Sequence, residues 1–230
     1  MGLFLSFSGI IGKSKDEVIK SLSEYAKSVN GGLEKEKLTT DENNCLVLEE
    51  SNNNVSILYP NNFLEWEESS EFISKYLNSP VFSFHIHDGS LWMYTFYFNG
   101  DIVDTFNPIP DYWDENISEE EIESLKGNAQ ILTKYIPNLK TENIEKYLIR
   151  WDLEAEEVKA YLDDEFLNED WQVSDFMKKV GFSYPLDDNG SPKSETYKLW
   201  TEKSNNESNP QIESSKNNVE TKNKPWWKLW

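Results

Sequence analysis

A single cysteine, Cys45, stands among the 230 residues. One thiol excludes an intramolecular disulfide and a cysteine-based zinc site. Within Cys45-Leu46-Val47-Leu48 it reads as a small buried apolar residue, at home in a reducing cytosol. Histidine is nearly as scarce, with two residues, His85 and His87. No apolar run reaches the roughly 20 residues of a membrane-spanning helix. The apolar opening, Met1 to Ser6, lacks the basic flank of a signal peptide and reads as the start of a strand.

Catalytic signatures are missing as well. There is no serine elbow and no dinucleotide fingerprint, and no cofactor is expected. Gly12-Lys13-Ser14 matches the end of a phosphate loop, but Phe7 stands where its first glycine is required. Basic side chains are outnumbered 22 to 42, for a net charge of −20. Such a field repels phosphates and anionic lipid, which argues against nucleic-acid binding by the folded part. It favours solubility or a basic protein partner.

Aromatic residues, by contrast, make up 14% of the chain. Each large ring buries about 150–250 Å², enough for a core in a polar sequence. Residues 3–11 read as a strand. Ser14 with Glu17 forms a capping box, followed by Val18, Ile19, Leu22, Tyr25, Ala26 and Val29 at helical spacing. Asn30-Gly31-Gly32 is the stop. Strands are expected near Cys45–Glu49 and Val55–Tyr59. A second helix over 67–77 presents Phe72, Ile73, Tyr76 and Leu77 inward and ends before Pro80.

Residues 81–106 carry the plainest pattern. Asp88-Gly89 and Asn99-Gly100 are two-residue hairpin turns between runs of β-formers, which predicts a three-stranded meander. The two-residue turns pair His87 with Ser90, His85 with Trp92, and Tyr94 with Thr105. Ser83, His85, His87, Trp92, Tyr94, Phe96 and Phe98 then share one face; Phe82, Phe84, Ile86, Leu91, Met93 and Tyr97 share the other. Both faces are too apolar for water, so one is expected under the first two helices and the other under the later ones.

The resulting fold class is α+β. Residues 1–110 form a sheet domain with a ferredoxin-like β-α-β-β-α-β start and an added hairpin. Residues 111–200 form an acidic helical region packed on it, where 111–170 hold 18 acidic and 6 basic side chains. Ser118 with Glu121 caps its first helix, and helices are expected over 128–136, 141–151, 155–162 and 171–180, with Gly181 as a stop. Residues 201–224 are almost devoid of apolar side chains and read as a disordered linker. Residues 225–230, Pro-Trp-Trp-Lys-Leu-Trp, form a terminal motif.

Two sets of residues invite chemistry. His85, His87, Trp92 and Tyr94 line a candidate pocket, and His85 and His87 with Asp88 could begin a metal site, although no third ligand stands at a recognised spacing. Acidic pairs such as Asp163-Asp164 and Asp187-Asp188 are what chance supplies among 42 carboxylates. The second set is Trp226, Trp227, Lys228 and Trp230, rings and a lysine that suit docking on a protein groove, an interfacial membrane contact or folding back onto their own domain. The expectation is a cytosolic, bacterial, non-enzymatic interaction module, with an immunity-type inhibitor of a basic protein as its concrete form. A metal-dependent enzyme using His85 and His87, and a peripheral membrane protein held by the tail, are the alternatives.

Overall fold

A computed structural model describes residues 4–37, 43–50, 52–61, 63–87, 91–112, 114, 116–151, 170–183 and 193–203. Among them an eight-stranded antiparallel sheet runs through the molecule, with helices on both faces. The strands are β1 (Leu5–Ile10), β2 (Gly32–Lys35), β3 (Cys45–Glu49), β4 (Val55–Leu58), β5 (Pro80–His87), β6 (Leu91–Phe98), β7 (Asp101–Phe106) and β8 (Glu195–Trp200). Their order is β2-β8-β3-β4-β1-β5-β6-β7. The helices are α1 (Lys15–Ser28), α2 (Trp66–Leu77), α3 (Glu119–Ser124), α4 (Ala129–Tyr135), α5 (Thr141–Ile144) and α6 (Asp170–Val180). No helix among the described residues is long and apolar enough to cross a membrane.

The local signals work as the chemistry requires. Ser14 and Glu17 form a capping box on α1, and Ser118 and Glu121 form another on α3. Asn30 supplies the left-handed turn after α1, at φ 57°. Gly31 and Gly32 serve a different end from the expected helix stop. A β-carbon at Gly31 would overlap the Trp200 carbonyl, and one at Gly32 would overlap its indole. The two glycines therefore let β8 approach.

Two strands lie outside the sequence-based outline. Among the described residues β2 pairs only with β8, and β8 inserts between β2 and β3, placing Tyr197 opposite both Lys35 and Cys45. Residues 195–200, assigned to a helical region, thus belong to the sheet. The folded body also runs past Thr201, whose fully buried hydroxyl donates to Glu65 at 2.8 Å. The helix expected over 155–162, and residues 204–230 with Trp226, Trp227, Lys228 and Trp230, lie outside the described residues.

The meander needs a correction. His87 pairs with Leu91 and His85 with Met93, one residue out of the register that a two-residue turn at 88–89 would give. Because side chains alternate along a strand, that single step turns β6 over. Trp92, Tyr94 and Phe96 share a face with Phe82, Phe84 and Ile86, while His85 faces α2. At the other hairpin Phe98 pairs with Asp101 as the Asn99-Gly100 turn dictates. An irregularity between Phe96 and Tyr97 then moves Tyr94 opposite Phe106 instead of Thr105.

The two faces have different chemistry. Towards α4–α6 the sheet is aromatic. Phe176 of α6 sits 5.2 Å from Trp92, 5.6 Å from Tyr94 and 5.9 Å from Tyr147, centroid to centroid. Each such buried ring contributes about 1.5–3 kcal/mol relative to exposure. Towards α1 and α2 a second apolar cluster, with Ile73, Ile57 and Val81, is joined by small polar side chains. Ser69, Ser70 and Ser74 are buried there, whereas Tyr76, expected inward, is 45% exposed. The Ser8 hydroxyl lies 2.7 Å from both Tyr59 and Ser70, and Tyr59 donates to Ser69 at 2.9 Å. Serines let the helix sit close to the sheet, and the Ser8, Tyr59, Ser69, Ser70 and Ser74 hydroxyls each keep a partner.

Candidate functional site

The register of β6 decides the first candidate. His85 and His87 stay together on the α2 face of β5, 6.0 Å between ring centroids, while Trp92 and Tyr94 project to the opposite face. The four do not build one pocket. His85 and Tyr94 do border a common space of about 10 Å³, with Trp66, Ser83 and Asn107. That is the room of one water molecule.

Three of the four, His85, Tyr94 and Trp92, are committed to structure. The His85 imidazole is stacked on Trp66, with 4.6 Å between centroids and 7° between planes. Its Nδ1 is 2.9 Å from the Ser6 hydroxyl. Burial, reinforced by neighbouring His87, pushes its pKa down to about 4. Tyr94 donates to Asp104 at 2.7 Å, and Asp104 also accepts the Asn128 amide at 3.0 Å. Burial pushes the Tyr94 hydroxyl well above its ordinary range, with the Asp104 charge adding to the effect. Trp92 is fully buried against Phe106 and Phe176. Among the described residues no group of three or more His, Cys, Asp or Glu side chains is placed to hold a metal ion. Asp88 lies outside them.

A surface that the sequence did not single out lies at the same end of the sheet. Phe4, 45% exposed, meets His87 edge to face at 4.8 Å, and His87 lies 6.4 Å from the Tyr112 ring. Tyr112 is 53% exposed. Beyond it runs a carboxylate-rich segment, residues 111–125, with seven acidic side chains and no basic one. Its helix α3 buries none of its side chains. The segment is nevertheless firmly mounted. Asn107 N–H donates to the Leu125 carbonyl at 2.8 Å and Gly127 N–H to Thr105 at 2.9 Å, which fastens it to the β7 edge. Asp111 accepts from Arg150 at 2.7 Å. Ser118 hydrogen bonds hold the Glu121 carboxyl below its ordinary range, and the Asp114 charge works against them, so these two carboxylates share one field.

At the opposite end of the sheet a cleft of about 370 Å³ is bordered by Asn52, Asn54, Asn138, Asn143 and Lys179. The Asn52 and Asn54 amides are used in a clasp. Both donate to the Gly181 carbonyl at 3.1 Å, and Asn54 Oδ1 accepts Gly12 N–H at 3.1 Å.

Periodicity could not have found the aromatic surface, because Phe4, His87 and Tyr112 come from three separate segments. Comparison with protein-family models, with curated proteins and with solved structures gives no match.

Proposed function

We propose that the chain is a non-enzymatic interaction module, cytosolic and bacterial, whose acidic surface takes a basic protein, with residues 225–230 as a tethered docking motif. An immunity-type inhibitor is its concrete form. The observation that carries the reading is the mounting of residues 111–125. Four of that segment's seven carboxylates, Glu119, Glu120, Glu121 and Glu123, stand on a helix that buries nothing, and backbone pairing fixes that helix to the sheet edge. Clustered like charges repel, so such a display opposes folding by itself and gains only when an opposite charge arrives. A preformed field also steers a basic partner and speeds association.

The strand order β3-β4-β1-β5, with α1 and α2 packed together on one face, supports a split β-α-β, ferredoxin-like reading of the core. β2 and β8 are then additions to that core.

The functional test is affinity capture on the immobilised full chain at low and high salt. The expected result is a basic protein retained at low salt and lost when Glu119, Glu120, Glu121 and Glu123 become glutamine. Retention indifferent to those four changes would refute the acidic-surface reading.

A further inference from the structure

Exposed Phe4 and Tyr112 and half-buried His87 form an aromatic strip; Asp111 and Asp114 flank Tyr112 in the sequence, and Asp114 shares a field with Glu121. An exposed strip of rings rimmed by carboxylates fits rings and ammonium groups together, through stacking, cation–π contact and ion pairing. One stretch of this chain has that composition. Residues 221–230 hold three lysines and three tryptophans and no acidic side chain, while the preceding 220 residues hold all 42 acidic ones.

The topology brings this stretch within range. Tyr197 pairs with Cys45, Leu58 pairs with Phe7, and Leu5 pairs with Ile86. The end of β8, the start of β1 and the end of β5 therefore lie along one end of the sheet. Lys203, where the described chain stops, leaves the body at the same end as Phe4 and His87. Four strand spacings separate β8 from β5 in the order β8-β3-β4-β1-β5, a span of about 19 Å. Seventeen residues, 204 to 220, stand between Lys203 and this stretch, and a coil of that length has a root-mean-square reach of about 23 Å. A tether whose reach matches the span gives the highest effective concentration at the site.

We propose that residues 221–230 of the chain itself occupy the Phe4–His87–Tyr112 surface in cis, tryptophans against the rings and lysines against the carboxylates. The tail then acts as a built-in stand-in for the basic partner, which must displace it. The inference rests on the acidic-surface reading for the partner, but the tail contact stands or falls on its own measurement.

The sequence contains two histidines, which makes imidazole proton resonances a clean probe of the full chain. His87 reports the strip, and His85, covered by Trp66 but 6.0 Å from His87, is the inner comparison. Replacing Trp226, Trp227 and Trp230 by alanine is expected to move the His87 resonances more than those of His85. Replacing Lys222, Lys224 and Lys228 by glutamine is expected to move them the same way. Raising the salt to about 1 M, where screening acts within about 3 Å, is expected to shift the unmodified chain towards the lysine variant. These shifts should not depend on protein concentration. A His87 signal indifferent to the tryptophan changes would overturn the proposal, and a concentration-dependent one would assign the surface to a second copy and overturn it equally. If the His87 shift is found and affinity capture finds no basic protein, the partner reading fails and the tail contact remains.

Discussion

The Trp66 indole lies flat on the His85 imidazole, 7° from parallel and 4.6 Å between centroids. The stack shields one face of the imidazole from water, and His87 adds a like charge when protonated. Together they lower its pKa from 6.5 to about 4. Between those values the unfolded chain binds a proton that the folded chain does not. This contribution is therefore complete above pH 6.5 and is lost as the pH falls towards 4, by about 2 kcal/mol once screening at its partly exposed edge is allowed for. Urea unfolding at pH 7 and pH 4.5 checks it. His85→Gln should flatten the difference, and an equally steep loss in that variant would show the stack is not its source.

Tyr94 and Asp104 make the second testable pair. Their bond is buried, and the carboxylate has the Asn128 and Thr105 amides as further partners. Tyr94→Phe keeps the ring between Phe106 and Phe176 and removes only the hydroxyl. A hydrogen bond to a charged group contributes about 1.5–3 kcal/mol. The melting temperature should fall by about 2–4 °C per kcal/mol for a body of this size. An unchanged melting temperature would mean the bond contributes nothing net.

Gly9 offers a test of packing. A β-carbon there would stand 2.9 Å from the Phe182 ring, which is itself 1% exposed. Gly9→Ala should destabilise by about 1–3 kcal/mol, as overpacked sites do. Adding Phe182→Leu should recover part of that loss. If the two changes simply add, the clash is not the cause.

The elements legible in the sequence are those written in a few adjacent residues. Ser14 with Glu17 and Ser118 with Glu121 are complete caps in four residues each, and Asn99-Gly100 sets its own turn. What escaped depends on distant partners. The β5–β6 register is fixed by what Trp92 and Tyr94 meet on the far face, chiefly Phe176, more than eighty positions later. Once that register slips by one, the grouping of His85 with Trp92 dissolves. β8 escaped because six residues between polar stretches signal a strand only when β2 and β3 are there to receive them. α2 was placed to within one residue and Ile73 is buried as its spacing implies, yet Ser69, Ser70 and Ser74 share that inward face, which hydrophobic spacing does not register.

That last strand bears on how the protein is made. Among the described residues β2 has no strand neighbour other than β8, and β3 has β8 along one edge, although β8 is synthesised about 150 residues after β3. On the ribosome the first half of the chain must wait, with one side of its sheet unfilled, until residue 200 has emerged. Folding here is expected to be a late event of the whole chain, slow for its size because the closing contacts span so much sequence. A chain interrupted before β8 would expose the edge of β3, a surface prone to recruit other strands.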